Sequence, residues 1–386
     1  MILFIDTILH MKKILIIDTV YPKVLYNLRL KLKHENRYSY EHALNNLFNL
    51  RFGTSDLYSR LLNLNGWDSE TVIANSPLLQ FSWKEQFQVR NKGIYRNSYF
   101  LSNVLFDLIH SFPYTKKLLT NILLSQIHYH KPDIVYLQDL NFIDFQTLKS
   151  IRNAGIFIAG QIASPLPNNQ IIQMYDHIYS SLPNLVNKIN SMGTSASFLP
   201  IGFDSRVSKE IPNNKQRDLL TFVGGISSIH SNTLPLLQQV LDHHPELRIY
   251  GYGKRAAKNS KSIYRAHLGE AWGLDMYKIF RNSYLTLNRH SEVSGPYANN
   301  MRLFESTGMG SLLLTDNKIN ISDYFIPSEE ILVYDNFQHA ADLVKWVKDN
   351  PGKARKIAEN GLKRTLQDHT YEKVIGNLSK DLKNRL

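Results

Sequence analysis

Tyr297-Ala298-Asn299-Asn300-Met301-Arg302-Leu303-Phe304-Glu305-Ser306-Thr307-Gly308-Met309-Gly310-Ser311-Leu312-Leu313-Leu314-Thr315-Asp316 reads as loop, helix, glycine stop and buried strand. The spacing predicts a helix over Asn299–Thr307. Asn299 or Asn300 is suited to cap it, and Gly308 and Gly310 punctuate its end. The free N–H groups at such a helix start suit a diphosphate, and Arg302 in the first turn adds a charge-assisted bond to phosphate. Glu305 repels phosphate but suits the vicinal hydroxyls of a ribose. Arg302 and Glu305 also share a helix face, so a plain surface ion pair is an equally good reading.

Working outward, the strand–helix unit repeats. Strands are expected at Leu219–Val223, Leu247–Tyr250, Ser283–Leu287, Ser311–Thr315 and Ile331–Tyr334, with helices at Asn232–His243, Asp275–Arg281, Gln338–Asp349 and Gly352–Leu366. An earlier series of short, β-branched runs covers Lys13–Ile17, Thr71–Ala74, Ile134–Leu137, Ile156–Ala159, His177–Tyr179 and Ser197–Leu199. Between them, Leu57, Leu61 and Leu64 share one helical face, capped by Thr54 or Ser55 and ended by Gly66. Pro113 divides the apolar stretch Tyr99–His130 into two helices. Such alternation implies parallel sheets covered on both faces. The expected class is α/β, with two Rossmann-like doubly wound domains facing a cleft. Pro, Gly and polar residues cluster over Leu199–Lys215. The domains are therefore expected at residues 1–203 and 218–386, joined by a linker over 204–217, with the last helix packing back on the first domain. Met11-Lys12-Lys13-Ile14 reads as the true start of the fold, with residues 1–10 an appendage.

The chain has 386 residues, a length that fits two domains. Its net charge of +12 suits an anionic partner: nucleotide, nucleic acid or acidic membrane face. It has no Cys, which excludes disulfides, thiolate nucleophiles and Cys-ligated metals. No run reaches the roughly 18 apolar residues of a membrane span, and the N-terminus lacks the basic start and cleavage site of a signal peptide. No metal site is expected, because there is no DxD or HExxH, and His128-Tyr129-His130 has no evident carboxylate partner. No nucleic-acid-binding module is recognisable.

Ligands of open parallel sheets gather beyond the C-terminal strand ends. Gly224 and Gly225 follow a strand there and permit close backbone approach to phosphate or sugar, or simply make a tight turn. His230, at the next helix start, suits phosphate binding or acid–base work, or plain capping. Lys254 ends another strand in a basic Gly-rich loop, and His290 follows the strand at Ser283–Leu287, facing the expected cleft.

Asn299–Gly308 through Leu314-Thr315-Asp316 resembles the signature of bacterial group 1 glycosyltransferases, more narrowly a spore-maturation-protein-like branch. Ala358–Thr365 with His369-Thr370-Tyr371 is similar to that branch's ending. Gly53–Ser59 with Gly66-Trp67, Tyr136–Leu140 and Gly160–Pro167 resemble related proteins. The resemblance implies the GT-B architecture, with acceptor mainly in the first domain and nucleotide-sugar donor in the second. It implies that Glu305 holds the donor ribose, that Asn299 and Asn300 face the diphosphate or sugar, and that the loop with Glu270 and Trp272 lies against the base. It implies a metal-independent reaction without cofactor, the nucleotide-diphosphate sugar being a substrate.

Two positions depart from the usual pattern. Tyr297 stands where many retaining relatives carry a second Glu, so the stereochemical outcome is open. The usual Arg and Lys after the Gly–Gly turn are absent, leaving His230, Lys254 and Arg302 to balance the diphosphate. Asp139, at the end of the strand Ile134–Leu137, is the best-placed catalytic base, with Asp18 and Asp56 behind it and Ser164 also on the acceptor side. For any one of these Asp residues, a turn or capping role is the more common reading. The acceptor is expected to be a glycan, lipid-linked or protein hydroxyl, in bacterial surface polysaccharide or glycoconjugate assembly. The expected location is the cytoplasm, with peripheral contact at the inner face of the membrane. The rival reading is a noncatalytic nucleotide- or glycan-binding protein of the same fold.

Overall fold

The computed structural model describes residues 11–35, 38–88, 113–212, 217–226 and 232–386. The expected appendage 1–10, the helix upstream of Pro113, linker residues 213–216 and His230 lie outside the described residues.

Among the described residues, twelve parallel strands form two six-stranded sheets. The first comprises β1 (Lys13–Asp18), β2 (Asp68–Ile73), β3 (Ile134–Leu137), β4 (Phe157–Gln161), β5 (His177–Ser180) and β6 (Ala196–Phe198). The second comprises β7 (Leu219–Val223), β8 (Arg248–Tyr250), β9 (His267–Gly269), β10 (Ser283–Leu287), β11 (Leu312–Asp316) and β12 (Leu332–Tyr334). The spatial order is β2-β1-β3-β4-β5-β6 in one and β12-β11-β10-β7-β8-β9 in the other. This is the expected α/β architecture of two Rossmann-like domains. Strand order reverses between β1 and β3 and between β7 and β10, the positions where open sheets leave a ligand crevice. β9 was not expected: three residues with Leu268 in solvent give no readable pattern.

Side chains alternate across each sheet. In β1, Leu15 and Ile17 enter one core and Ile14 and Ile16 the other. That second core is closed by the C-terminal helix Tyr371–Arg385 through Ile375, Leu378 and Leu382. The Trp67 indole N–H donates to Ser379 Oγ at 2.8 Å and locks the helix in place. The chain thus returns from the second sheet to cover the first.

The stretch expected as linker contains the helix Ser205–Glu210, capped by Asp204, which accepts the Arg206 N–H. Arg206 donates two bonds to Asp56, at 2.7 and 2.8 Å, and Arg51 pairs with Glu210 at 2.9 Å. Across the cleft, Leu274 N–H donates to Leu50 O at 2.9 Å. Gly273 makes this approach possible: its φ is +55°, and a Cβ there would lie 2.0 Å from Leu50 O. Gly273→Ala is expected to lower stability by more than about 1 kcal/mol and to separate the domains. Thermal unfolding and the solution radius of gyration check this; unchanged values for both would show that the contact does not hold the cleft.

Candidate functional site

The C-terminal strand ends of the two sheets face each other across contiguous cavities of about 280 and 620 Å3. Asp18, Tyr21, Thr54, Gln138 and Met301 line both. A larger hollow of about 930 Å3 lies between the helix Pro351–Asp368 and the opposite ends of β7 and β10, lined by Arg217, Tyr284 and Leu362. Parallel sheets present ligands at their C-terminal ends, so the interdomain cleft is the candidate site.

On the second-domain side, Glu305 is only 2% exposed. Arg302 Nη1 pairs with its carboxylate, and the Tyr277 hydroxyl donates to it at 3.2 Å. Burial, with Glu305 beside it, pushes the Tyr277 phenol far above its ordinary value, so it remains a donor. Arg302 Nε also donates to Val223 O at the end of β7, at 3.0 Å. The pair is not the surface ion pair its spacing allowed, and both members line the smaller cavity. Arg302 is the sole cation in that wall among the described residues.

Gly224 and Gly225 line the same cavity. A Cβ on Gly225 would lie 2.2 Å from the Tyr252 ring, and one on Gly251 would lie 1.9 Å from Gly224 O. The glycines let the turns after β7 and β8 press together.

Trp272 stacks on Tyr252, centroids 6.4 Å apart and planes 6° apart. Tyr21 and Phe52 of the first domain pack against the same indole at 5.3 and 5.0 Å. Glu270 is exposed and accepts the Trp272 indole N–H at 3.0 Å, which orients the ring. The aromatic wall therefore belongs to both domains. Tyr21 and Phe52 were not anticipated, because Trp272 lies more than 200 residues further along the chain and neither segment alone carries a sign of the contact; Tyr252, 20 residues before Trp272, was read only as part of a basic Gly-rich loop.

Several expected donor residues face elsewhere. The helix starts at Arg302, not Asn299. Asn300 Nδ2 donates to Asn288 Oδ1 at 3.0 Å while its Oδ1 accepts the Leu303 N–H at 3.2 Å, the expected cap on the helix's first turn, so its polar atoms are spent within the loop and helix start. Neither it nor Asn299 lines either of these two cavities. Lys254 donates to His267 O at 2.8 Å and lies over the Tyr264 ring, away from the cleft. His290 does not face the cleft either: its side chain is buried behind the wall, with Nδ1 2.7 Å from Asp316 Oδ1. Burial opposes ionisation of Asp316, but the His290 hydrogen bonds and charge and the Lys318 charge outweigh it and hold the carboxyl down at about 2.

On the first-domain side, Asp18 ends β1 and accepts the Thr19 N–H at 2.8 Å, with the Thr54 hydroxyl oxygen 3.3 Å away. Burial, with the Asp139 charge nearby, pushes its carboxyl up to about 7 against those hydrogen bonds. Asp139 lies at the larger cavity, where it accepts the Thr19 hydroxyl and the Asn141 N–H, each at 2.9 Å. Ser164 is exposed on the rim. Asp56 lines neither cavity. Burial would raise its carboxyl, but the bidentate Arg206 and nearby Arg51 hold it below the ordinary carboxylate range, as an anchor for the linker helix. No group of three or more His, Asp or Glu is placed to hold a metal ion among the described residues.

Residues 234–380 match a family described as glycosyl transferase-like. No curated protein matches the chain by sequence. Similar solved structures include sucrose-phosphate synthase from Thermosynechococcus elongatus, with a TM-score of 0.59 at 10% identity, covering 97% of this chain and 100% of that one. Anabaena HepE in complex with UDP and glucose has a TM-score of 0.59 at 11% identity, with coverage of 97% and 100%. A glycosyltransferase from Rickettsia africae has a TM-score of 0.56 at 10% identity, with coverage of 97% and 98%. At such identities the likeness shows the fold, and the fold is GT-B.

Proposed function

We propose that this chain transfers a sugar from a nucleotide-diphosphate sugar to a hydroxyl acceptor in the interdomain cleft. The observation that carries the proposal is the pair of carboxylates facing it: Glu305, buried and braced by Arg302 and Tyr277, and Asp18, whose proton affinity is raised. The family match over residues 234–380 supports it, as do the HepE structures, which hold UDP, glucose or UDP-glucose.

In this reading the Tyr252–Trp272 wall takes the base. Glu305 accepts the ribose hydroxyls with the lone pairs that Tyr277 and Arg302 leave open. Arg302, beside the Gly224–Gly225 turn, stabilises the charge that develops on the departing diphosphate; the Gly224 and Ile226 N–H groups of that turn are bonded to Tyr250 O and Tyr252 O, each at 2.9 Å. No metal is assigned to the step. Asp18, ionised, takes the acceptor hydroxyl proton. The acceptor oxygen bonds to the anomeric carbon as its bond to the diphosphate breaks, which gives inversion. We assign this role to Asp18 rather than to Asp139 because Asp18 lines both cavities, while Asp139 accepts the Thr19 hydroxyl beside it.

Incubation with UDP-, GDP-, CDP-, ADP- and dTDP-sugars and a glycan panel, read by mass spectrometry, tests the proposal. Acceptor-dependent release of one nucleoside diphosphate is expected. Nucleotide binding without turnover on any acceptor would instead favour the noncatalytic reading.

We further propose that the first domain contacts an anionic lipid face. The helix Pro22–Leu32 exposes Lys23, Tyr26, Leu30 and Lys31, and no acidic residue occurs from Thr19 to His34. Tyr21, on the cleft wall, adjoins it. No described helix is long and apolar enough to cross a membrane. Replacing Lys23 and Lys31 by Glu is expected to weaken binding to phosphatidylglycerol vesicles more than about tenfold at low salt, at about 1 kcal/mol per basic residue lost. Equal sedimentation of the variant with vesicles would remove this contact.

A further inference from the structure

We infer that the acceptor unit entering the larger cavity is an uncharged sugar, and that sugar phosphates and uronic acids are rejected there; this rests on the transferase reading above. The two halves of the cleft differ in charge. Arg302 serves the smaller cavity, whereas no Lys, Arg or His lines the 620 Å3 cavity among the described residues. Its charged groups are the carboxyls of Asp18 and Asp139. In a chain of net charge +12, a pocket without cations is not what composition alone would produce. An anionic acceptor would give up its hydration and meet only like charge.

The neutral polar groups have the complementary character. The hydroxyls of Tyr58 and Tyr136 both donate to Gln161 Oε1, at 2.5 and 2.9 Å, which fixes the amide so that its NH2 is left for the cavity. Thr54 donates to Gln138 Oε1 at 2.6 Å and orients that amide in the same sense. Both amides line the pocket. Two NH2 groups and two carboxyls can therefore satisfy the oxygens and hydroxyls of a sugar ring. Tyr21, Tyr58, Tyr179 and Tyr371 supply apolar walls for its C–H faces. Burial keeps Tyr58, Tyr179 and Tyr371 protonated, since it pushes each phenol above its ordinary value. The volume falls within the range of about 300–1,000 Å3 that holds a small ligand.

Saturation-transfer NMR on the full chain tests the inference. The probes are methyl glycosides of glucose, galactose, mannose and N-acetylglucosamine beside methyl glucuronide, methyl galacturonide and glucose 6-phosphate. At least one neutral probe is expected to bind, with its acidic counterpart about tenfold weaker or worse, as Coulomb repulsion over a few ångströms implies. Asp139→Asn is expected to narrow that ratio. Acidic probes that bind equally well overturn the inference, and so does failure of every neutral probe. Calorimetry with nucleoside diphosphates on the same samples reports the donor site separately, so failure of the transferase reading is distinguishable from failure of this one.

Discussion

Glu305→Ala is expected to lower kcat/KM for the nucleotide sugar by about 100- to 1000-fold. A hydrogen bond to a charged group contributes about 1.5–3 kcal/mol, and the proposed ribose contact makes two. Removing the carboxylate also strips Arg302 of its partner beside the proposed diphosphate site. The loss is expected in KM and kcat/KM before kcat, since the ribose is bound in ground and transition states alike. Glu305→Gln keeps an acceptor for the Tyr277 hydroxyl and separates the charge from the packing. Near-wild-type kinetics in both variants would remove the ribose assignment.

Asp18→Asn is expected to abolish transfer, by about 100- to 10,000-fold for the loss of a general base, and at the same time to stabilise the protein. The folded carboxyl titrates near 7 against 3.8 for the unperturbed group. Below pH 3.8 both states hold the proton and the residue contributes nothing. Between pH 3.8 and 7 the unfolded chain releases it while the folded chain retains it, so stability falls as pH rises. Above 7 the penalty is constant. The full elevation would exceed 4 kcal/mol at about 1.36 kcal/mol per pH unit. Because Asp18 opens onto the cleft, water screens part of it, and a gain of about 2 kcal/mol is expected in the variant above pH 7. Wild-type kcat/KM should rise through pH 7 as the base ionises, and that limb should vanish in the variant. Denaturant unfolding at pH 5 and pH 8, beside a pH–rate profile, checks both halves. An active variant whose rate limb is unchanged would return the base to Asp139.

The sheets were legible because their signal is local. Apolar runs such as Leu312–Leu314 and Ile14–Ile17 are buried on both faces, as strands of a covered parallel sheet are, and their shortness and bounding turn residues distinguish them from helices. β9 was not legible, since an edge strand of three residues buries too little to leave a pattern. The spacing of Arg302 and Glu305 was visible, but the burial that separates a cleft wall from a surface pair was not. That burial comes from Tyr277 and β7, neither of them a neighbour along the chain. His290, Lys254 and Asp56 were read as cleft residues because each ends a strand or begins a helix. Asp316, the His267 carbonyl and Arg206 claim them instead. Polar side chains go to whichever partner satisfies them first, and that partner is set by tertiary packing. Trp272 was expected at the base through the family resemblance, but Tyr21 and Phe52 were not, because they come from the other domain.

Titration calorimetry of UDP, GDP, CDP, ADP and dTDP against the wild type and Glu305→Gln tests the donor site most directly. One diphosphate is expected to bind the wild type, and the variant is expected to bind it at least about tenfold more weakly, the loss of one charge-assisted hydrogen bond. Binding of none of the five, or equal binding by the variant, would contradict the assignment of this cleft to a nucleotide sugar held by Glu305.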